Sequence, residues 1–231
     1  MTVARESHLV ELVDATGTAI GSATVDQAHQ APGQMHRAFS VFLRDGDGRV
    51  LLQQRAEVKT RFPLRWGNTA CGHPAPGEDL AAAAQRRLAE EVGVSGVPLE
   101  VLGVYPYYAE DPASGRVEYE YDHVLVGDVP ADVDLAPDPA EVADLRWVPV
   151  ETLTSALAED TRTYVPWLSG VLAVLTSAGP SSPAPSSPAP SSASPAPSAT
   201  AGPSATAAPL PSSTSPAVRF SVRAAERGDD G

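Results

Sequence analysis

The chain has 231 residues and a net charge of −13, which argues against general nucleic-acid binding and means that an anionic substrate needs a local basic pocket. Its single cysteine, Cys71, excludes an internal disulfide and favours a reducing compartment. The N-terminus is too polar for a signal peptide and no apolar run approaches the ~20 residues of a membrane span, so we expect a cytoplasmic monomer without nucleic-acid or membrane partners.

The first part of the chain predicts strands joined by turns. Residues 8–12 and 18–24 form candidate strands on either side of a turn. Between His36 and Arg44 the apolar residues alternate, with Phe39, Val41 and Leu43 on one face, as in a strand packed on both sides. The sequence DGDG at 45–48 is a strong hairpin turn, and residues 50–54 form the returning strand.

The stretch 66–94 contains the cysteine, a Gly/Pro-rich turn and then a helix. Asp79 places negative charge in the first turn, where the helix dipole favours it. Leu80, Ala84 and Leu88 recur every four residues as a buried stripe, and Gly93 is well placed to end the helix.

The next elements complete an α/β pattern. Residues 99–108 predict a strand broken at Pro106, and residues 117–126 predict a strand that follows a turn at 111–115. A short strand at 145–148 precedes helices near 150–157 and 167–176. This order predicts an α/β sandwich around a mixed sheet. From about 177 the composition becomes almost wholly Ala, Pro, Ser, Thr and Gly, which predicts a folded domain over 1–176 and a disordered tail over 177–231.

Two motifs in the stretch 66–94 carry a resemblance to known families. The residue types and their spacing around the helix resemble the Nudix box: Gly72, Glu78, Arg86, Leu88, Glu90, Glu91, Gly93 and Val94. The box usually has a glutamate directly after its arginine, and here that residue is Arg87. The preceding NTACGHP, residues 68–74, resembles the active-site motif of the type 1 isopentenyl-diphosphate isomerase family.

That resemblance covers residues 5–176 and implies a Nudix-type α/β/α sandwich. It also implies a metal site for one Mn²⁺ or Zn²⁺, whose ligands match His29, His36, His73, Glu118 and Glu120. Imidazoles and carboxylates are suitable ligands for such ions. Without the resemblance, these would be read as unrelated histidines and as the solvated face of an antiparallel sheet.

The resemblance further implies the reacting residues. Cys71 matches the family's catalytic cysteine and Glu120 the acid on the opposite side of the substrate, with Tyr108 matching a tyrosine that supports this acid. Trp167 matches a tryptophan that faces the allylic end and stabilises a carbocation. Taken alone, the cysteine and the tryptophan would be interpreted as core residues.

A basic cluster precedes the motif and matches the family's diphosphate site. Arg55, Lys59 and Arg87 match the residues that bind the diphosphate, and Arg87 thereby turns a catalytic acid of the box into a phosphate contact. Mg²⁺ is expected beside the diphosphate, at Glu91 and Cys71. A solvated loop is the alternative, and it suits Arg61 and Arg65. Some relatives have a lysine where this chain has Val25, which predicts the loss of one diphosphate contact.

The sequence therefore predicts an isomerase that interconverts isopentenyl and dimethylallyl diphosphate through a tertiary carbocation, in isoprenoid biosynthesis. In the isopentenyl direction, Glu120 is expected to protonate the substrate and the Cys71 thiolate to remove a proton. The alternative in the same fold is a Nudix hydrolase of a nucleoside diphosphate derivative. A third reading is a binding module that has lost catalysis.

Overall fold

A computed structural model describes residues 5–160 and 162–178. The tail predicted over 177–231 lies outside this range, apart from Ser177 and Ala178. Within the described residues no helix is both long and apolar enough to cross a membrane.

One mixed sheet forms the centre of the described part of the chain. Its strands are β1 Leu9–Val13, β2 Ala19–Thr24, β3 His36–Arg44, β4 Arg49–Arg55, β5 Trp66–Gly67, β6 Ala70–Gly72, β7 Glu100–Asp111, β8 Arg116–Asp128 and β9 Val142–Pro149. The helices are α1 Val25–Ala28, α2 Leu80–Val92, α3 Val150–Glu159 and α4 Leu168–Ser177.

Strand β3 is central because it pairs with β1, β4, β6 and β8. Its pairing with β8 is parallel and places His36 beside Glu120, whereas β6 runs antiparallel and places Cys71 beside Ser40. The groups that the sequence separates by up to 91 residues are therefore brought together around this one strand.

The strands β3 and β4 separate soon after the turn that joins them, since they pair at Arg44 and Val50, next to that turn. The segment β5–β6 fills the opening, with β5 on β4 and β6 on β3. The Thr69 hydroxyl lies between the two strands: it donates to Leu51 O at 2.6 Å and accepts from Leu43 N at 2.8 Å. These side-chain bonds take the place of ladder bonds between the separated strands.

Hydrophobic clusters cover both faces of the sheet. One contains Phe39, Val41 and Leu43 of β3 and is covered by α2, and the other contains Phe42 and is covered by α3 and α4. The predicted alternation in β3 is confirmed because successive side chains of a strand point to opposite faces. The predicted α/β/α sandwich is confirmed as well.

Two local predictions need correction. Residues 25–28 form a short helix whose N-cap Thr24 makes a reciprocal capping box with Gln27, where the sequence analysis placed no helix. Strand β7 is not broken at Pro106, which pairs with Tyr121 inside a continuous ladder. Among the described strands β7 pairs with β8 alone, and an edge strand tolerates proline where the missing N–H would face away from its partner.

Gly93 ends α2 in the left-handed region, with φ of 76°. We expect Gly93→Ala to lower the free energy of unfolding by at least about 2 kcal/mol, because a Cβ adds strain of about 1–2 kcal/mol and would lie 2.7 Å from Ala136 Cβ. Gly96→Ala is the matched control, since Gly96 also has positive φ (72°) but open space around it. Urea unfolding of both variants measures the difference, and equal losses would show that the contact with Ala136 is unimportant.

Candidate active site

A cavity of about 220 Å³ lies at the end of the sheet where β3 begins. Most of the residues predicted for the site line it: Cys71, His73, Glu118, Glu120 and Trp167, with Arg55, Lys59 and Arg87. Tyr107, which was not predicted, lines it as well. The basic and the candidate catalytic groups therefore share one space.

The predicted histidines converge on Glu120. The rings of His29, His36 and His73 have centroids 4.6–5.1 Å apart. His73 Nε2 lies 2.9 Å from Glu120 Oε1, and the same oxygen is 3.7 Å from His36 Nε2 and 3.9 Å from His29 Nε2. One potential ligand atom from each of the four residues lies within 4.8 Å of the others.

Two of these rings are held in the orientation that metal binding needs. His29 Nδ1 lies 2.7 Å from Val25 O, and His36 Nδ1 lies 2.8 Å from Gln34 O. Because a carbonyl only accepts, each Nδ1 carries a proton and each Nε2 faces the cluster. His36 Nε2 is buried without a hydrogen-bond partner and presents a lone pair, and His29 Nε2 faces the carboxylate of Glu118, so the donor set fits a divalent metal ion.

The charges of the cluster also suit a cation. Burial opposes ionisation of Glu120, but the nearby His29 and the hydrogen bond of His73 hold its pKa well below the usual range. Burial, together with the charges on His73 and His29, lowers the pKa of His36 to about 3. The carboxylate is therefore ionised and this imidazole neutral at neutral pH, the forms in which both residues bind metals.

Glu118 borders the cluster on the side of His29. Its Oε2 lies 2.8 Å from His29 Nε2, and its Oε1 accepts from Arg61 Nε at 3.0 Å. Burial opposes protonation of His29, but the charge of Glu118 raises its pKa to about 9. Arg61 is 8% exposed, so its interpretation as part of a solvated loop is wrong: it is a buried partner of a predicted metal ligand.

The tyrosine that supports Glu120 is Tyr107 and not Tyr108. Tyr107 Oη donates to Glu120 Oε2 at 2.7 Å. Tyr108 is 48% exposed and bonds to Glu110. The β7–β8 register places Tyr107 opposite Glu120 and Tyr108 opposite Tyr119. Since the side chains of a strand alternate, a shift of one residue moves a side chain to the other face.

Cys71 is a neutral thiol in the free protein. Burial, and after it the charge of Asp122, raises its pKa to about 12. Its Sγ lies 3.1 Å from Asn68 Nδ2 and 3.7 Å from Ser40 Oγ, and Ser40 in turn donates to Asp122 at 2.7 Å. The sulfur therefore lies in a polar network that its sequence neighbours did not reveal.

Trp167 forms an aromatic wall of the cavity. It is buried just before α4 and stacks on Tyr107 with ring centroids 5.6 Å apart, and Phe62 meets it edge-on at 5.4 Å. The Arg55 guanidinium carbon lies 5.7 Å from the indole centroid. A π-rich surface of this kind stabilises positive charge on a bound molecule.

Two basic residues of the cavity, Lys59 and Arg87, are paired with acids. Lys59 forms an ion pair with Glu141, and Arg87 bonds Glu141 at 3.3 Å, Glu90 at 2.8 Å and also Glu91. Burial, together with the charge of Arg55, lowers the pKa of Lys59 to about 8. Glu141 is 4% exposed and also lies 3.2 Å from Arg5.

The two residues predicted to hold Mg²⁺ lie in the same region. Arg87 Nε donates to Cys71 O at 3.3 Å while its Nη2 pairs with Glu91, so these two predicted Mg²⁺ ligands lie next to one positive group. Gln53 Nε2 donates to Glu91 Oε2 at 2.6 Å, and Gln53 Oε1 is buried without a partner. Carboxylate, carbonyl and amide oxygens are the ligands that Mg²⁺ prefers.

Sequence reasoning missed several residues of the site. Glu141 is a buried acid that no spacing rule distinguished from the other acids of the chain. Asn68 lies in the motif NTACGHP, and Asp122 lies on the face of β8 that carries Glu118 and Glu120, but neither buried residue was assigned a role. Arg5 comes from the N-terminal segment. Tyr107 was missed because the register of β7 against β8 depends on where the turn between them begins, and the turn occupies 112–115 rather than the predicted 111–115. Val25 lines the cavity as an apolar residue, at the position where some relatives have a lysine.

Known proteins are similar to this chain in sequence or in fold. The NUDIX domain family matches residues 34–168. An isopentenyl-diphosphate Delta-isomerase of Nocardia farcinica is 57% identical over 169 residues, which cover 73% of this chain and 95% of the relative. One from Streptomyces coelicolor is 52% identical and is covered to 83%. A crystal structure of a Deinococcus radiodurans protein has a TM-score of 0.57 at 18% identity, covers 72% of this chain and 98% of its own, and supports the fold alone.

Proposed function

Because this chain belongs to the isopentenyl-diphosphate Delta-isomerase family of the Nudix superfamily, we propose that its cavity moves the double bond of isopentenyl diphosphate to give dimethylallyl diphosphate. The observation that carries this proposal is the convergence of Cys71, Glu120 with Tyr107, and Trp167 on a cavity that is also lined by basic residues. A proton donor, a proton acceptor and a cation-stabilising ring are what a double-bond shift through a carbocation requires.

The diphosphate binds at the basic end of the cavity. Arg55, Lys59 and Arg87 supply its contacts, and an incoming diphosphate competes with Glu141 for Lys59 and Arg87. Binding this charged, non-reacting part of the substrate fixes the position of the hydrocarbon at the other end. Val25 adds an apolar surface to the cavity and makes no contact with the phosphate.

The alkene is a very weak base, so its protonation needs an acid held in a dry and fixed position. Glu120, supported by Tyr107 Oη, protonates the terminal methylene carbon. The resulting tertiary cation lies against Trp167, whose ring stabilises the charge and excludes water. Cys71 removes a proton from the neighbouring methylene, and the new double bond forms. In the reverse direction the two residues exchange roles.

The protonation of the free protein suits the reverse direction, from dimethylallyl to isopentenyl diphosphate, rather than the forward one. One turnover toward dimethylallyl diphosphate leaves Cys71 as a thiol and Glu120 as a carboxylate, and these are the forms that their pKa shifts favour. A further turnover in the same direction requires a proton to leave the sulfur and another to reach Glu120. Exchange with solvent supplies both, and deuterium from D₂O therefore enters the product.

Divalent metal ions complete the site. We propose that His29, His36, His73, Glu118 and Glu120 hold one Mn²⁺ or Zn²⁺, which when bound orients Glu120 and tunes its acidity. Glu91 and the carbonyl of Cys71 would hold Mg²⁺, which neutralises diphosphate charge. We further propose that the enzyme acts as a cytoplasmic monomer.

A matched pair of variants tests the role of Tyr107. We expect Tyr107→Phe to lower kcat about 10- to 100-fold, because Glu120 loses a hydrogen bond to a charged group. Tyr108→Phe is the control, since Tyr108 Oη bonds to exposed Glu110, and its kcat should equal that of the wild type. Steady-state rates of both variants decide, and an equal effect of the two would contradict the assignment of Tyr107.

A proton NMR time course tests the function itself. Purified protein is incubated with isopentenyl diphosphate, Mn²⁺ and Mg²⁺ in D₂O, and dimethylallyl diphosphate that contains deuterium is the expected product. Inorganic phosphate release from nucleoside diphosphate derivatives is measured in parallel. Phosphate release without isomerisation would establish the hydrolase alternative, whereas neither activity would favour a binding module.

A further inference from the structure

Asn68 contacts two residues of the proposed reaction but has no part in the mechanism described so far. Its side chain is fully buried. Its Nδ2 donates to Cys71 Sγ at 3.1 Å, and its Oδ1 accepts from Trp167 Nε1 at 3.3 Å. One carboxamide therefore connects the thiol to the indole, although the two residues are 96 positions apart in the chain.

We propose that Asn68 is a positioning residue that holds the Cys71 sulfur and the Trp167 ring in one fixed arrangement around the reacting carbons. This inference rests on the proposed isomerisation. The reaction needs the base and the cation-stabilising ring at set positions relative to each other, because the proton must leave before the cation captures water. A direct link between the two residues meets that requirement.

The amide is itself firmly held. Its Nδ2 also donates to Ala70 O at 2.8 Å and lies 3.3 Å from Val41 O, so its nitrogen faces the sheet. On the other side of the link, Trp167 is packed by Tyr107 and Phe62. The arrangement is therefore anchored at both ends, and a change at position 68 is transmitted to the sulfur and to the ring.

A carboxamide suits both forms that Cys71 takes during a turnover. The thiol donates to Asn68 Oδ1, which lies 3.3 Å from Sγ. When the proton has moved, an N–H of Nδ2 donates to the thiolate sulfur from the same position. Asparagine has both a donor and an acceptor, whereas aspartate at this position has acceptors alone when ionised and leucine has neither.

The test compares Asn68→Leu and Asn68→Asp with Thr69→Val. Thr69 is the adjacent buried residue, and its hydroxyl bonds backbone atoms of β3 and β4 without lining the cavity. We expect both Asn68 variants to lower kcat about 10- to 100-fold, as for a lost hydrogen bond to a charged group, with KM changed less than about 3-fold. Thr69→Val should lower the melting temperature and leave kcat unchanged.

A second readout separates positioning from a structural role. If the ring and the sulfur move, water captures the tertiary cation: a C–O bond forms at the cationic carbon, and one proton is released. The product is a tertiary alcohol diphosphate, detected by NMR and mass spectrometry. We expect it from the Asn68 variants and not from Thr69→Val, whose cavity is intact.

The possible failures are distinguishable. A wild type without isomerase activity overturns the proposed function, whereas an active wild type with Asn68 variants that lose only stability, as Thr69→Val does, overturns the role of Asn68 alone. If neither Asn68 variant folds, Trp167→Phe decides, since it removes the N–H to Oδ1 and leaves the backbone bonds of the amide intact. Normal kcat and no alcohol from Trp167→Phe would contradict the link.

Discussion

Cys71→Ala is expected to lower kcat by about 1000-fold or more, because it removes the group that exchanges a proton with the substrate on one side. Positioned acid–base groups contribute about 10²–10⁴-fold to rates, and no other thiol exists in the chain to replace this one. The diphosphate contacts come from Arg55 and Lys59, so KM should change little. The NMR time course in D₂O measures the loss.

Two further observations make this prediction specific. Cys71→Ser keeps the size of the side chain but not its acidity, so it should also be strongly impaired, with about the same affinity for the diphosphate. The melting temperature of both variants should stay close to that of the wild type, because the Cys71 side chain is partly exposed. Isomerisation by Cys71→Ala at more than a tenth of the wild-type rate would show that the thiol is not a reacting group.

Glu120→Gln is expected to have the second largest effect, since it removes both a proton-transfer group and the acid at the centre of the histidine cluster. We expect kcat to fall about 1000-fold and the bound transition metal to fall well below one ion per chain. Metal content after gel filtration, measured by elemental mass spectrometry, gives a result that is independent of activity. An amide is a weaker metal ligand than a carboxylate because it is neutral.

Glu110→Gln is the matched control for this substitution. Glu110 lies on the neighbouring strand and accepts from the exposed Tyr108, so its amide variant should retain both metal and rate. Chelation of the wild type followed by addition of Mn²⁺ should lower and then restore the rate, whereas Glu120→Gln should not recover. Full metal content with a lost rate would restrict Glu120 to proton transfer.

The strands and the helix of the box were predictable because their patterns are local. Alternating apolar residues fixed the two faces of β3, and Gly93 fixed the end of α2, whereas Asp79 is the N-cap of that helix and not, as predicted, a residue of its first turn. The spacing of Glu118 and Glu120 placed both carboxylates on one face of β8, which is correct because successive side chains alternate. The predicted tail over 177–231 lies almost wholly outside the described residues.

The errors arose where the answer depended on a partner distant in the chain. Whether Tyr107 or Tyr108 reaches Glu120 depends on the register of β7 against β8, and a strand sequence alone does not specify it. Whether Arg61 is solvated or buried depends on Glu118, 57 residues later. The predicted break at Pro106 was wrong because an edge strand tolerates proline. Whether a strand lies at the edge or in the centre of a sheet depends on its partners and not on its own sequence.

The sequence by itself determined the family and the fold class, and it marked the cysteine, histidines, glutamates and basic residues as candidates for the site, because these predictions follow from residue types at fixed spacings. The tertiary structure alone decided which tyrosine supports Glu120, that Glu141 joins Lys59 to Arg87, and that Asn68 links Cys71 to Trp167. The physical reason is that buried polar groups must find hydrogen-bond partners, and those partners are chosen by strand pairing and packing across the fold.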